Sequence, residues 1–142
     1  PRLACVKHLN RLENVLAAAE LHEAQQQDSQ LAEGLLLDTE GHLIEGIRSN
    51  LFMVSQGRLV TPDLSRCGVA GIQRGRVMAW ALQNGVTLQV RDVKLEEAQH
   101  ADELFIANSV IGLWPIRELE KKRWSHFPVT TQIRDGLDRQ DA

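Results

Sequence analysis

The spacing of apolar positions changes character along the chain. Leu9, Leu12, Val15, Leu16 and Ala19 recur every three or four residues, with Arg11, Glu13, Asn14 and Glu20 filling the opposite face. This spacing predicts a helix over about residues 8–25. The following EAQQQDSQLAEG, 23–34, is polar and ends in glycine, as a helix end and solvated loop do. From there the period shortens. GLLLD, LIEG and NLFMVSQGRLVTP read as short strands, with hairpin turns at Thr39-Glu40-Gly41 and Gln56-Gly57. PDLSRCGVAG, 62–71, is a loop, and GIQRGRVMAWALQNG, 71–85, reads as a helix closed by Asn84-Gly85.

Val86 to Val93 alternates like one strand, Leu95 to His100 is a short helix, and ELFIANSVIGLWPI, 103–116, is a strand, a break and a second strand. Pro128 to Leu137 completes the pattern as a helix. Helices and strands are mixed without an internal repeat, which defines an α/β domain.

Composition narrows the function classes. The 142 residues suffice for one domain with a sizeable core. A net charge of −3 gives no bulk attraction to nucleic acid or anionic lipid. No apolar run reaches the roughly 18 residues of a membrane span, and no signal-peptide pattern is visible. Cys5 and Cys67 lack metal-ligand spacing and are expected to be free thiols in a reducing, cytoplasmic compartment. Pro1 in place of methionine leaves a processed terminus and a fragment as equal readings.

Four stretches carry candidate chemistry. Lys7 stands just before the first helix; by itself it reads as a surface lysine, and as a nucleophilic amine only if partly desolvated. Glu45 follows an apolar pair in LIEGIRSNLF and reads alone as an exposed turn carboxylate, or else as a carboxylate facing a cationic heterocycle. GVAGIQRG, 68–75, sets glycines before a helix, whose free N–H groups are suited to phosphate, although the Lys-Ser/Thr ending of a P-loop is missing. Asn108 and Ser109 interrupt the apolar run FIANSVIGLWPI, where polar side chains either satisfy backbone or face a ligand. His8, His22, His42, His100 and His126 show no metal spacing, so no metal is expected; neither a G-x-S-x-G elbow nor a G-x-G-x-x-G fingerprint is present.

In this order the four stretches resemble the fold-type IV family of pyridoxal-phosphate enzymes, which holds branched-chain aminotransferases, D-amino-acid transaminases and aminodeoxychorismate lyases. KHLNRLENVL, 7–16, is most similar to the lyase branch. The resemblance covers about residues 3–117. It implies the family's C-terminal, barrel-like mixed-sheet domain with flanking helices, here residues 1–142 as one cofactor-binding domain with the N-terminal domain missing. It implies pyridoxal 5'-phosphate as cofactor, a small-molecule substrate, a homodimer, and no nucleic-acid or membrane partner.

Residue by residue, the resemblance makes Lys7 the Schiff-base lysine and Glu45 the partner of the pyridine nitrogen. Gly71, Ile72 and Gln73 become the phosphate cradle, Asn108 and Ser109 a second phosphate turn, and Arg48 and Ser49 the lining of the cofactor face. Gln73 stands where the family often has threonine, so its N–H rather than its side chain is expected at the phosphate. The implied activity is conversion of 4-amino-4-deoxychorismate to 4-aminobenzoate and pyruvate in folate biosynthesis. A D-amino-acid or branched-chain aminotransferase of the same fold and a non-catalytic α/β module are the alternatives. Little or no activity is expected from the isolated segment, because the family's N-terminal domain supplies a phosphate-binding arginine and much of the substrate pocket.

Overall fold

The computed structural model describes residues 11–142, so Lys7 and Cys5 lie outside the described residues. Helix α1 (Leu12–Gln27) precedes two hairpins, β1 (Leu35–Leu37) with β2 (His42–Gly46) and β3 (Asn50–Ser55) with β4 (Arg58–Pro62). Helix α2 (Ile72–Gln83) leads to β5 (Leu88–Arg91), β6 (Val93–Lys94) and the short α3 (Leu95–Gln99). Strands β7 (Glu103–Asn108) and β8 (Gly112–Pro115) form a third hairpin, β9 (Glu118–Leu119) and β10 (Lys122–Arg123) a fourth, and α4 (Pro128–Asp141) follows.

Five strands form the main sheet in the order β5-β4-β3-β7-β8, with β5 parallel to β4 and the other neighbours antiparallel. A smaller sheet, β1-β2-β6, lies beside it. The mixed-sheet α/β expectation holds; among the described residues the sheets do not close into a barrel. The segment read as one strand over 86–93 is divided at Asp92: β5 joins the large sheet and β6 the small one.

The central strands β3 and β7 are buried on both faces, which is why NLFMV and LFIA run almost continuously apolar. Alternation sends Phe52, Val54, Phe105 and Ala107 toward α2 and α4, where Val77, Trp80, Ala81, Ile133 and Leu137 cover them. Phe52 and Phe105 are register partners, and their rings stack with centroids 5.0 Å apart. The other faces carry Leu51, Met53, Leu104 and Ile106 against Leu43, Val93, Ala98 and Trp124.

Local chemistry fixes the ends of these elements. Gln56 and Gly57, at φ 50° and 72°, both occupy the left-handed region that a two-residue hairpin turn requires. The buried carboxylate of Glu103 accepts from the N–H groups of Val129 and Thr130, each at 2.8 Å, and from the Thr130 hydroxyl at 2.7 Å. It caps α4 and pins that helix to β7.

Helix α1 behaves differently. It is helical as its spacing predicts, yet it buries no residue, and Leu12, Val15 and Leu16 are 67%, 63% and 56% exposed. The periodicity selects the helix; among the described residues it does not supply a partner for the apolar stripe.

Candidate functional site

The end of β2, the start of β3, the loop before α2 and the β7–β8 turn converge on a cavity of about 870 Å³. Its lining includes Glu45, Arg48, Ser49, Gly71, Ile72, Gln73, Asn108 and Ser109, so every sequence-predicted site residue within 11–142 meets there. Lys7 falls outside the described residues.

Glu45 is 4% exposed. Its Oε1 accepts from Arg11 Nη2 at 2.6 Å, and its Oε2 accepts from the Val69 N–H at 2.9 Å. A carboxylate offers about four acceptor positions, so these two bonds orient it and leave acceptor capacity toward the cavity. Close packing accompanies this: a Cβ on Gly68, whose φ is +94°, would stand 2.8 Å from Leu64 Cδ2, 3.0 Å from Ile44 Cγ2 and 3.3 Å from Glu45 Oε2.

The turn after Glu45 is tied from both sides. The Gly46 N–H donates to the Ser49 carbonyl at 2.8 Å. Glu33 Oε2 accepts from the Arg48 N–H at 3.2 Å and from the Ser49 hydroxyl at 3.0 Å. Ser49 is therefore buried and committed to Glu33, while Arg48 is exposed at the cavity.

Asn50, 5% exposed, joins this turn to the α2 start. Its Nδ2 donates to the Val69 carbonyl at 2.7 Å, and its Oδ1 accepts from the Gly71 N–H at 3.1 Å. Gly71 is the N-cap of α2 and has no side chain to cap with, so the N–H groups of Ile72 and Gln73 lie in the first turn without an intrahelical acceptor. They point the positive end of the helix at the cavity. The Gln73 side chain accepts from Arg76 at 3.2 Å.

Asn108 builds the opposite wall. Its Oδ1 accepts from the N–H groups of Val110 and Ile111, each at 2.8 Å, and its Nδ2 donates to the Arg48 carbonyl at 3.1 Å. This presents Ser109 at the cavity, beside the half-exposed ring of Trp114.

Sequence reading missed Arg11, Asn14, Glu33 and Asn50. The signal for Arg11 was its place four residues after Lys7 in the sequence. Asn50 was detectable only as a polar residue opening an apolar strand. Nearby, burial pushes the Cys67 thiol up, and the carboxylates of Asp38 and Glu45 add to that against the opposing Arg66 and Arg11.

With this geometry in place, comparison with known proteins defines the class. A family model described as amino-transferase class IV matches residues 2–119, and the chain belongs to that family. It is a family of pyridoxal-phosphate enzymes. An aminodeoxychorismate lyase of Vibrio harveyi is 37% identical over 116 residues, which are 82% of this chain and 41% of the relative. The solved 4-amino-4-deoxychorismate lyase of Pseudomonas aeruginosa superposes with a TM-score of 0.90 at 46% identity, covering 98% of this chain and 50% of the other. A branched-chain aminotransferase of the archaeon Thermoproteus uzoniensis, solved with norvaline, superposes with a TM-score of 0.82 at 30% identity over 90% of this chain and 41% of its own. The chain thus spans half or less of the length of these relatives.

Proposed function

We propose that residues 1–142 are the cofactor-binding part of a pyridoxal-phosphate lyase that converts 4-amino-4-deoxychorismate to 4-aminobenzoate and pyruvate, a folate-pathway reaction. The observation that carries this reading is one cavity with a buried, oriented carboxylate, Glu45, and an uncapped helix start at Ile72 and Gln73. That donor set fits the cofactor: an anion for a protonated ring nitrogen and N–H groups for a phosphate. The 46% identity to the Pseudomonas aeruginosa lyase supports a lyase over an aminotransferase.

In this reading Lys7 would hold the cofactor covalently, Glu45 would keep the proton on its ring nitrogen, and Ile72, Gln73 and Ser109 would receive its phosphate, with Asn108 shaping that turn. Arg48 and Ser49 sit at the cofactor face. When bound, the cofactor supplies an electron sink for charge arising at the amine-bearing carbon. Lys7 would be the general base for the proton on that carbon. The C–O bond to the enolpyruvyl group on the neighbouring carbon would break, the proton taken up by Lys7 would end on the departing enolpyruvate to give pyruvate, and aromatisation of the substrate ring would drive the reaction forward. The whole enzyme is read as a cytoplasmic homodimer acting on a small molecule.

Two measurements test the proposal on the full-length protein. Borohydride reduction of the holoprotein followed by peptide mapping is expected to place the pyridoxyl group on Lys7; a different lysine overturns the assignment. Sustained 4-aminobenzoate formation without a keto acid is expected of the lyase. Turnover only when a keto acid is added would make the protein an aminotransferase.

A further inference from the structure

We infer that Arg11 is a positioning residue for the reaction, acting through Glu45, and that Asn14 locks it in that role. The inference rests on the reading of Glu45 as the partner of the cofactor ring.

Arg11 and Glu45 are 34 residues apart in sequence, yet Arg11 Nη2 meets Glu45 Oε1 at 2.6 Å. Both side chains are withdrawn from water, at 14% and 5% exposure. A buried carboxylate without a countercharge is costly, so the guanidinium compensates Glu45 as well as orienting it. Arg11 is itself held. Asn14 Oδ1 accepts from Arg11 Nε at 3.0 Å and from Nη2 at 2.7 Å, while Asn14 Nδ2 donates to the Ile47 carbonyl at 2.8 Å. The guanidinium is thereby tied to the turn that follows β2, the strand bearing Glu45.

The surrounding charges are few. Glu13 Oε1 is 3.2 Å from Arg11 Nε and is largely exposed. The Cys67 thiol feels both Glu45 and Arg11, with its proton affinity raised by burial. Glu33 is committed to the Arg48 and Ser49 side of the turn. Arg11 is therefore the cation in hydrogen-bond contact with Glu45 among the described residues. Its charge offsets the carboxylate's pull on a ring proton, and its two-point hold prevents Glu45 from turning away.

The test uses the full-length holoprotein loaded with pyridoxal 5'-phosphate, as wild type, Arg11→Lys, Arg11→Met, Asn14→Ala, Glu45→Gln and Arg11→Met/Glu45→Gln. The readouts are the pH midpoint of the visible cofactor band, the cofactor Kd and the melting temperature. Removing a cation favours protonated forms nearby, so Arg11→Met is expected to move the midpoint to higher pH and weaken cofactor binding about tenfold. Arg11→Lys restores most of the midpoint and Asn14→Ala gives a smaller shift; these two carry the test if Arg11→Met does not fold. In the Glu45→Gln background, Arg11→Met is expected to add a much smaller shift, because only the direct effect of losing the guanidinium remains. A lowered melting temperature with an unmoved midpoint and Kd would show that Arg11 merely anchors α1 and overturn the inference. So would a shift of equal size with and without Glu45. A wild-type band in Glu45→Gln alone would instead bring down the underlying reading of Glu45.

Discussion

Asn50 and Gly71 are joined by a hydrogen bond that shapes the entry to α2: the Gly71 N–H donates to Asn50 Oδ1 at 3.1 Å, while Asn50 Nδ2 reaches the Val69 carbonyl at 2.7 Å. One buried side chain thus closes both ends of the 69–71 segment. Asn50→Ala leaves a donor and an acceptor without partners, which costs about 1–3 kcal/mol. The expected outcome is a lower urea midpoint together with weaker pyridoxal-phosphate binding, because the α2 start loses its fixed position. Equal stability of Asn50→Ala and wild type in urea titration would contradict this. Gly71→Ala acts on the same contact, since a Cβ there would stand 2.7 Å from Asn50 Oδ1.

Ile72 offers a cleaner test of the phosphate cradle. It is the first residue of α2, 77% exposed, and Gly71 before it has ψ 154°, which suits a residue preceding proline. Proline is well tolerated at this first helical position. Ile72→Pro is therefore expected to preserve the melting temperature while removing one N–H donor. Cofactor affinity should fall by about tenfold, the worth of about 1.4 kcal/mol. Unchanged affinity in equilibrium dialysis would exclude the Ile72 N–H from phosphate binding.

The β1–β2 hairpin carries a pH signature. Asp38 accepts from the His42 and Glu40 N–H groups at 2.8 and 2.9 Å and pairs with the His42 ring at 3.1 Å. These bonds, the His42 N–H first, hold its carboxyl below the usual carboxylate range. A carboxyl depressed in the fold contributes stability above its unfolded value, about 3.9, and loses it as pH falls through the folded value. Asp38→Asn should therefore be less stable than wild type at pH 7, and the difference should shrink under acid conditions. Melting temperatures of the pair from pH 7 to pH 2 check this; a gap that widens on acidification would refute it.

Much of this architecture is legible in the sequence because local chemistry and burial agree. The Gln56-Gly57 turn between two apolar runs specifies the β3–β4 hairpin, and Phe52 and Phe105 alternate onto the same face of adjacent strands. The division of 86–93 is not legible, since a period of two states which face a side chain takes and not which sheet its strand joins. The β9–β10 hairpin is likewise hidden, being built of two-residue strands turned through Glu120 at φ 53°. At the site, Glu45, the α2 start and Ser109 emerge from motif order. Arg11 and Asn50 do not, because their partners lie 34 and 21 residues away and only the folded chain brings them together.

Glu45→Gln separates shape from charge at the centre of the site. The amide keeps one acceptor, which can serve either Arg11 or the Val69 N–H, and its NH2 then faces the other donor. One of the two bonds is lost, so a modest drop in melting temperature is expected. The larger effect is on chemistry. A neutral amide does not hold a ring proton as a carboxylate does, and the electron sink weakens where it is needed. A loss of about 3 kcal/mol in transition-state stabilisation corresponds to roughly a hundredfold slower turnover. In the proposed reading cofactor still binds, because Lys7 and the Ile72 and Gln73 N–H groups assigned to it are untouched. If the proposed lyase reading holds, the full-length variant is expected to retain most of its bound pyridoxal phosphate and to form 4-aminobenzoate at about a hundredth of the wild-type rate. Wild-type turnover in this variant would show that the carboxylate plays no part in holding the ring proton.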